Sequence, residues 1–245
     1  MTLTVQAIRF TTDVPAMRTF LERLGLVAVI TASDPETDAD TWAVMRSGSG
    51  DVLLHALATA TSPAVAGQTE LSLETDDLDA LADRFGLTPI DESYGRMVQL
   101  TDPLGDEVWV NGAQTDFYGY ATADASPDPA VSVAPVRFTD PSGAYGAFLE
   151  RLGMTAAEGG DEWFRSFRAD RGSVGLHVAR PGEFEQFLRG DHGARVHLTL
   201  STTQDLHALA DRLRADGIDV RVDESFGTML ELTDPDGCPL QIHPA

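Results

Sequence analysis

Phe20-Leu21-Glu22-Arg23-Leu24-Gly25 returns unchanged as Phe148-Leu149-Glu150-Arg151-Leu152-Gly153. Further along, Leu78-Asp79-Ala80-Leu81-Ala82-Asp83-Arg84 returns as Leu206-His207-Ala208-Leu209-Ala210-Asp211-Arg212. Asp91-Glu92-Ser93-Tyr94-Gly95-Arg96-Met97 returns as Asp223-Glu224-Ser225-Phe226-Gly227-Thr228-Met229, and each copy then reaches Leu-Thr-Asp-Pro. The order is kept at a spacing of about 130 residues, far longer than a solenoid repeat and long enough for each copy to enclose a core. The chain reads as two homologous domains, 1–112 and 131–245, joined by a linker at 113–130.

Length and composition agree with that reading. A chain of 245 residues holds one or two domains, and 42% hydrophobic with 7% aromatic residues is ordinary for a globular protein. No apolar run approaches the roughly 18 residues of a membrane span. The start, Met1-Thr2-Leu3-Thr4, lacks the basic head and apolar stretch of a signal peptide. The single cysteine, Cys238, has no partner for an internal disulfide, which fits a reducing compartment, so a cytoplasmic location is expected. The net charge of −22 sets 39 acidic against 17 basic residues. Phosphate backbones and anionic lipid would repel such a surface, so neither nucleic acid nor membrane is expected as a partner.

Each domain repeats a rhythm inside itself. A strand (Val5 to Thr11; Val133 to Thr139) leads to a helix. The first helix is capped by Thr12 or Asp13, carries Pro15 in its first turn, and buries Met17, Phe20, Leu21 and Leu24 before Gly25 stops it. Asp140, Pro141, Tyr145, Phe148, Leu149, Leu152 and Gly153 take these places in the second domain. After two further strands the order recurs: a strand (Glu70 to Thr75; Val196 to Thr202), then a helix with Leu78, Leu81 and Phe85, or Leu206, Leu209 and Leu213, turned inward. The hairpin turns Asp102-Pro103-Leu104-Gly105 and Asp234-Pro235-Asp236-Gly237 follow. The fold class is therefore α+β, with four βαβββ motifs forming curved mixed sheets. In the linker Phe117, Tyr118 and Tyr120 are expected to dock on a domain.

Alternation along strands separates a helix-packed face from a face that could line a cavity. Ile8 and Phe10, with Val136 and Phe138 in the repeat, are assigned to the packed face. That leaves Val5, Ala7 and Arg9, and Val133, Pro135 and Arg137, on the other. Leu71, Leu73, Leu198, Leu200, Val108, Val110, Leu240 and Ile242 are also assigned to packing. Glu70, Ser72, Glu74, His197, Thr199, Ser201, Glu107, Trp109, Asn111, Gln241 and His243 then face the cavity.

Paired βαβββ motifs, a strand arginine before a helix ending Leu-Gly, and a closing Asp-Pro-x-Gly hairpin resemble the vicinal oxygen chelate superfamily. That superfamily includes glyoxalase I, bleomycin-resistance proteins, extradiol dioxygenases and methylmalonyl-CoA epimerase. The resemblance spans nearly the whole chain outside the linker. In metal-using members the ligands come from the first, fourth, fifth and eighth strands of a domain. Carried onto this sequence, the first-strand position falls on Val5 and Val133, the fourth at or beside His55 and His177, the fifth on Glu70 and His197, and the eighth on Trp109 and Gln241. Arg9 and Arg137 fall on the family's frequent arginine. Some relatives exchange halves between domains, which would group His55, His197 and Gln241, or His177, Glu70 and Trp109.

Valine at both first-strand positions departs from the metal-binding pattern. No cofactor is expected, the alternative being a divalent metal held by His55, His177, His197 and Gln241. Arg9, Glu70, Trp109, Arg137, His197, Gln241 and His243 are the candidate ligand-binding residues. For the two arginines, pairing with a ligand carboxylate and pairing with Asp or Glu of the chain both stand. Glu70 is a candidate general base if an apolar wall raises its pKa. Trp109 suits an aromatic ligand, whereas Trp42 and Trp163 are assigned to core packing. The resemblance thus implies a protein, acting as monomer or homodimer, that binds a small aromatic molecule with a degenerate metal site. The rival readings are a metal-dependent lyase, isomerase or dioxygenase, and a non-catalytic interaction scaffold.

Overall fold

The computed structural model describes residues 1–92, 95–113, 120–180, 182 and 184–245. Its element order is the predicted one, βαβββ four times over. The first half contains β1 (Leu3–Thr11), α1 (Val14–Arg23), β2 (Val27–Ser33), β3 (Asp40–Arg46) and β4 (Asp51–Ala56). It continues with β5 (Thr69–Thr75), α2 (Leu78–Phe85), β6 (Ile90–Glu92), β7 (Gly95–Thr101) and β8 (Glu107–Gly112). After β9 (Ala121–Thr122), the second half opens on a divided first strand, β10 (Val131–Val133) and β11 (Val136–Phe138). Then come α3 (Ala144–Leu152), β12 (Thr155–Ala156), β13 (Phe164–Arg168), β14 (Ser173–His177), β15 (Thr199–Thr202), α4 (Leu206–Ala215), β16 (Val220–Asp223), β17 (Met229–Thr233) and β18 (Pro239–Pro244).

Local chemistry explains the helix ends. The Asp13 carboxylate accepts the Ala16 N–H at 2.9 Å, and Asp77 and Asp205 cap α2 and α4 in the same way. The α3 start differs from expectation. Asp140 accepts the Ser142 N–H and hydroxyl in a turn, and the helix begins only after Gly143. Gly153 ends α3 at a φ of 111° that residues with a Cβ avoid. Leu78, Leu81, Leu206, Leu209 and Leu213 are buried as their spacing predicts.

In the first half, β1 pairs antiparallel with β5 and parallel with β4, giving a single sheet ordered β6-β7-β8-β5-β1-β4-β3-β2-β9. The second half repeats this order as two sheets, β10-β15-β18-β17-β16 and β11-β14-β13-β12, linked by a bridge between Val136 and His197. Among the described residues the paired strands of each sheet come from one half of the chain, and only isolated bridges such as Thr4 to Arg171 and Glu70 to Arg195 cross between the halves. The end of the expected linker is itself structured: β9 adds to the edge of β2, and Asp128 donates its N–H to the Gly25 carbonyl. Of the linker aromatics, Phe117 and Tyr118 lie outside the described residues, and Tyr120 is exposed.

The register overturns one face assignment. Val5 and Ala7 stand opposite Leu73 and Leu71, and all four are buried in the helix-packed core with Met17, Leu21 and Leu81. Val5, Ala7 and Arg9 therefore face the helices. Gln6, Ile8 and Phe10 face the trough, opposite Ser72, Glu70 and Gln68 or beside Asp51, Leu53 and His55. The second half follows suit, with Val133 in the core and Val136 and Phe138 beside Gly175 and His177. A strand buried on both faces carries apolar residues at both parities, so alternation alone could not choose.

The halves are knitted together reciprocally. Val5 donates its N–H to the Arg171 carbonyl, and Val133 donates to Ser49. Each first strand thus lies against the β-hairpin of the other half.

Candidate ligand-binding site

The two arginines show where reciprocity ends in chemistry. Arg9 is 3% exposed and binds Asp234 of the second half's closing hairpin, along with the Gly67 carbonyl and the Thr69 hydroxyl. Arg137, 4% exposed, binds Asp102 at 3.0 Å and also Asp106, both in the first half's closing hairpin. Each aspartate spends its other oxygen on hairpin N–H groups: Asp102 on Leu104 and Asp106, Asp234 on Asp236 and Cys238. Of the two roles open to these arginines, pairing with the chain's own carboxylates is the one for which the structure provides partners.

The trough of the first half has an apolar floor of Ile8, Val44 and Leu53 beneath Trp42, which meets His55 edge-on at 5.4 Å. Trp42 packs on that cluster as expected, but Trp163 is 49% exposed and is no core residue. Glu70, Ser72 and Trp109 lie on this face, Ser72 directly opposite Trp109. Glu70 is 3% exposed and covered from the second half. It accepts Gln68 Nε2 at 2.6 Å and meets His192 Nδ1 at 3.4 Å. Burial raises its carboxyl pKa against the pull of His192 and Gln68, and Glu107 adds to the rise. A base sealed this way has little access to a substrate. Burial also raises Asp51 and Glu74, a pair that Arg46, Arg171 and Gln6 attend at the trough's far end.

The second trough is different in kind. Phe138 stacks on Phe184 at 4.5 Å with rings 6° from parallel, and His177 meets Phe184 edge-on at 5.2 Å. Phe187 lies 4.4 Å from His197, and Phe164 lies 6.2 Å from His177. Phe184 and Phe187 belong to the connector 178–198, which is longer than its counterpart 57–68. That extra length was the one sequence signal for them. Gln241 and His243 complete the wall, opposite Thr199 and Ser201.

Burial pushes two of these histidines, His197 and His243, toward the neutral form. His197 is 2% exposed and donates Nε2–H to the Pro239 carbonyl at 3.2 Å, and burial lowers its pKa to about 3. Burial likewise lowers His243, with His177 contributing. His177 donates Nδ1–H to the Val178 carbonyl at 2.6 Å, as His55 does to Ala56 at 3.0 Å. The tautomer is assigned from those bonds.

The residues present do not fit a mononuclear metal centre. No three His, Cys, Asp or Glu side chains converge as a ligand set among the described residues. Val5 and Val133, expected at the first-strand ligand position, face the helices instead. The first-strand residues that do face the troughs, Gln6, Ile8, Phe10, Val136 and Phe138, include no imidazole or carboxylate. Gln241 donates its amide to Glu231 at 3.2 Å, and Trp109 offers no donor atom.

Comparison with solved structures identifies the architecture. The chain shares its fold with an extradiol ring-cleaving dioxygenase. A variant of homoprotocatechuate 2,3-dioxygenase from Brevibacterium fuscum is 16% identical at a TM-score of 0.59, over 98% of this chain and 69% of that one. The same enzyme's anaerobic complex with 3,4-dihydroxyphenylacetate gives 16% identity, a TM-score of 0.55, and 98% and 78% coverage. A room-temperature structure of an extradiol dioxygenase from B. fuscum gives 16% and 0.56, with 98% and 70% coverage. These dioxygenases belong to the vicinal oxygen chelate superfamily, whose fold the sequence resemblance implied. No protein-family model and no curated protein matches the sequence.

Proposed function

We propose that this protein binds a small aromatic molecule in its second trough, without a mononuclear metal, for sequestration or metal-independent chemistry. The observation that carries the reading is the ring array of Phe138, Phe164 and Phe187 around His177 and His197, with Phe184 stacked on Phe138 as the ring a ligand would displace. Parallel aromatic faces with a few fixed polar atoms are what an aromatic ligand needs for affinity and orientation. Gln241 and His243 supply polar groups at one end of the trough, while Arg9 and Arg137 act outside it. Trp109 and Glu70 belong to the first trough, where the cover over Glu70 argues against ligand access. The neighbour solved with 3,4-dihydroxyphenylacetate is an aromatic binder on the same fold, which favours this ligand class.

Calorimetric titration against a panel of neutral and charged bicyclic arenes tests the reading. Saturable binding that Phe138→Ala weakens by about tenfold or more is expected from loss of a stacking face. A panel with no binder would refute it.

A second reading, metal-dependent ring cleavage, is favoured by the shared fold and by His177 and His197 in one trough. It requires stoichiometric metal in protein purified without chelator, lost on His197→Ala. Elemental analysis below about a tenth of an equivalent would dispose of it.

A further inference from the structure

We propose that residues 184–193 form a strap that couples the two troughs, so that a ring bound on Phe138 lifts the strap and uncovers Glu70 in the first trough. The ligand step rests on the aromatic-binding reading above, whereas the link between the troughs stands on the strap alone.

One short segment serves both troughs. At its leading end Phe184 stacks on Phe138 at 4.5 Å, and Phe187 lies 4.4 Å from His197 and 6.3 Å from Phe138. The turn Glu185–Phe187 joins the two rings into a unit, with the Phe187 N–H donated to the Phe184 carbonyl and the Leu188 N–H to Glu185. The trailing end lies on the other half of the chain. There Gln68 Nε2 donates to the His192 carbonyl at 2.9 Å, and His192 Nδ1 meets the Glu70 carboxylate at 3.4 Å. Phe187 and His192 stand five positions apart, a tether of about 18 Å even at full extension.

The strap is built to lift. Every residue from Phe184 to His192 is exposed or half-buried, so it opens at a lower free energy than a core strand. Its middle is held by polar bonds, from Arg195 to the Gly190 carbonyl at 2.6 Å and from Arg189 to Cys238 Sγ at 3.4 Å. Immediately beyond it Ala194 and Val196 are buried in the core, with the Leu71 N–H donated to Ala194 and the Val196 N–H to Thr69. That boundary makes Gly193 the hinge. Gly190 and Gly193 flank His192 at φ +67° and +64°, the left-handed region that a Cβ disfavours. A Cβ at Gly190 would overlap the Gln68 amide, and one at Gly193 the Glu70 carboxylate. The latch closes this tightly only because both positions lack a side chain.

Exclusion supplies the coupling. A ligand ring cannot share the face of Phe138 with Phe184, so it binds the lifted strap and shifts the population toward it. The short tether carries His192 off Glu70 as the rings leave. By linkage, whatever breaks the His192 latch favours a ligand in the second trough by the same factor.

The test is hydrogen exchange followed by NMR on the full chain. The Gln68 side chain is 0% exposed beneath the strap, so exchange of its amide protons reports the latch. Phe184→Ala combined with Phe187→Ala should speed that exchange roughly fivefold or more, and Gly193→Ala should do the same for the Phe187 and Leu188 N–H groups. The anchored Leu71 and Val196 N–H groups should stay within about twofold. Acceleration confined to the substituted end overturns the coupling. So does acceleration that spreads equally to Leu71 and Val196, which would mean that the half unfolds instead. The variants perturb opposite ends, so if one fails to fold the other decides. Saturating 1-methoxynaphthalene on the wild type should reproduce the rise at Gln68. Binding without that rise overturns the inference and leaves aromatic binding intact. Binding by no arene of the panel overturns the aromatic reading and the ligand step, with the variants still deciding the link.

Discussion

Arg9, in the first strand, closes on Asp234, in the last hairpin, with both side chains almost fully buried. Arg137 and Asp102 form the same pair with the halves interchanged. Removing one member of a buried pair strands the other charge, which costs about 3–5 kcal/mol. Arg9→Met should therefore lower unfolding free energy by roughly that amount in urea. Adding Asp234→Asn should recover part of the loss, because the amide keeps the hairpin bonds and only Asp236, 3.9 Å from the Arg9 guanidinium, is then left without its cation. A cost below about 1 kcal/mol for Arg9→Met would show that the pair does not hold the halves together.

Stability should fall in acid partly through His197. Its folded pKa of about 3 lies below the ordinary imidazole value of 6.5, so between those limits the unfolded chain binds more protons. Stability contributed by neutral His197 is full above about pH 6.5 and is lost as pH falls toward 3. Urea midpoints measured across that window should decline less steeply for His197→Gln than for wild type. Parallel slopes would mean that this imidazole titrates normally.

Glu70 should act with the opposite sign. Its carboxyl is raised by burial, so the folded state holds the proton to higher pH than the unfolded chain. The stability it contributes is present below the raised pKa and is lost as pH rises through it. Glu70→Gln, which can still accept from Gln68, should flatten that decline. Gly193 provides a second check. At φ +64° it lies against the Glu70 carboxylate, and an added Cβ would overlap that group. Gly193→Ala should cost about 1–3 kcal/mol by thermal unfolding, a loss that Glu70→Gln alone does not produce.

Phe184 occupies the face of Phe138 that a ligand ring would use. Phe184→Ala should cost about 1 kcal/mol in stability, since the ring is only half-buried, and should tighten arene binding by several-fold. Weaker binding would instead make Phe184 a wall of the site.

The trough walls were partly legible from alternation. Glu70, Ser72 and Trp109, and likewise Thr199, Ser201, Gln241 and His243, alternate with leucine, valine or isoleucine, and a half-buried strand can satisfy that pattern in only one way. In β1 the sequence Val5-Gln6-Ala7-Ile8-Arg9-Phe10 offers apolar residues at both parities. The arginine there gave no help, because pairing with a ligand carboxylate and pairing with a carboxylate of the chain both stood open. Phe184 and Phe187 carried no periodic signal, since they stand on a connector placed by tertiary contacts.

Duplication, helix stripes, aspartate caps and hairpin glycines are recorded within short windows of residues, because each reflects local geometry or a period of two or 3.6. They were enough to establish four βαβββ motifs in two copies. Strand register, the destination of Arg9 and Arg137, and the cover over Glu70 depend on partners tens to hundreds of positions away. Pairing energies choose among those partners only once the sheets have curved against each other, so the folded chain alone decides which faces become a site.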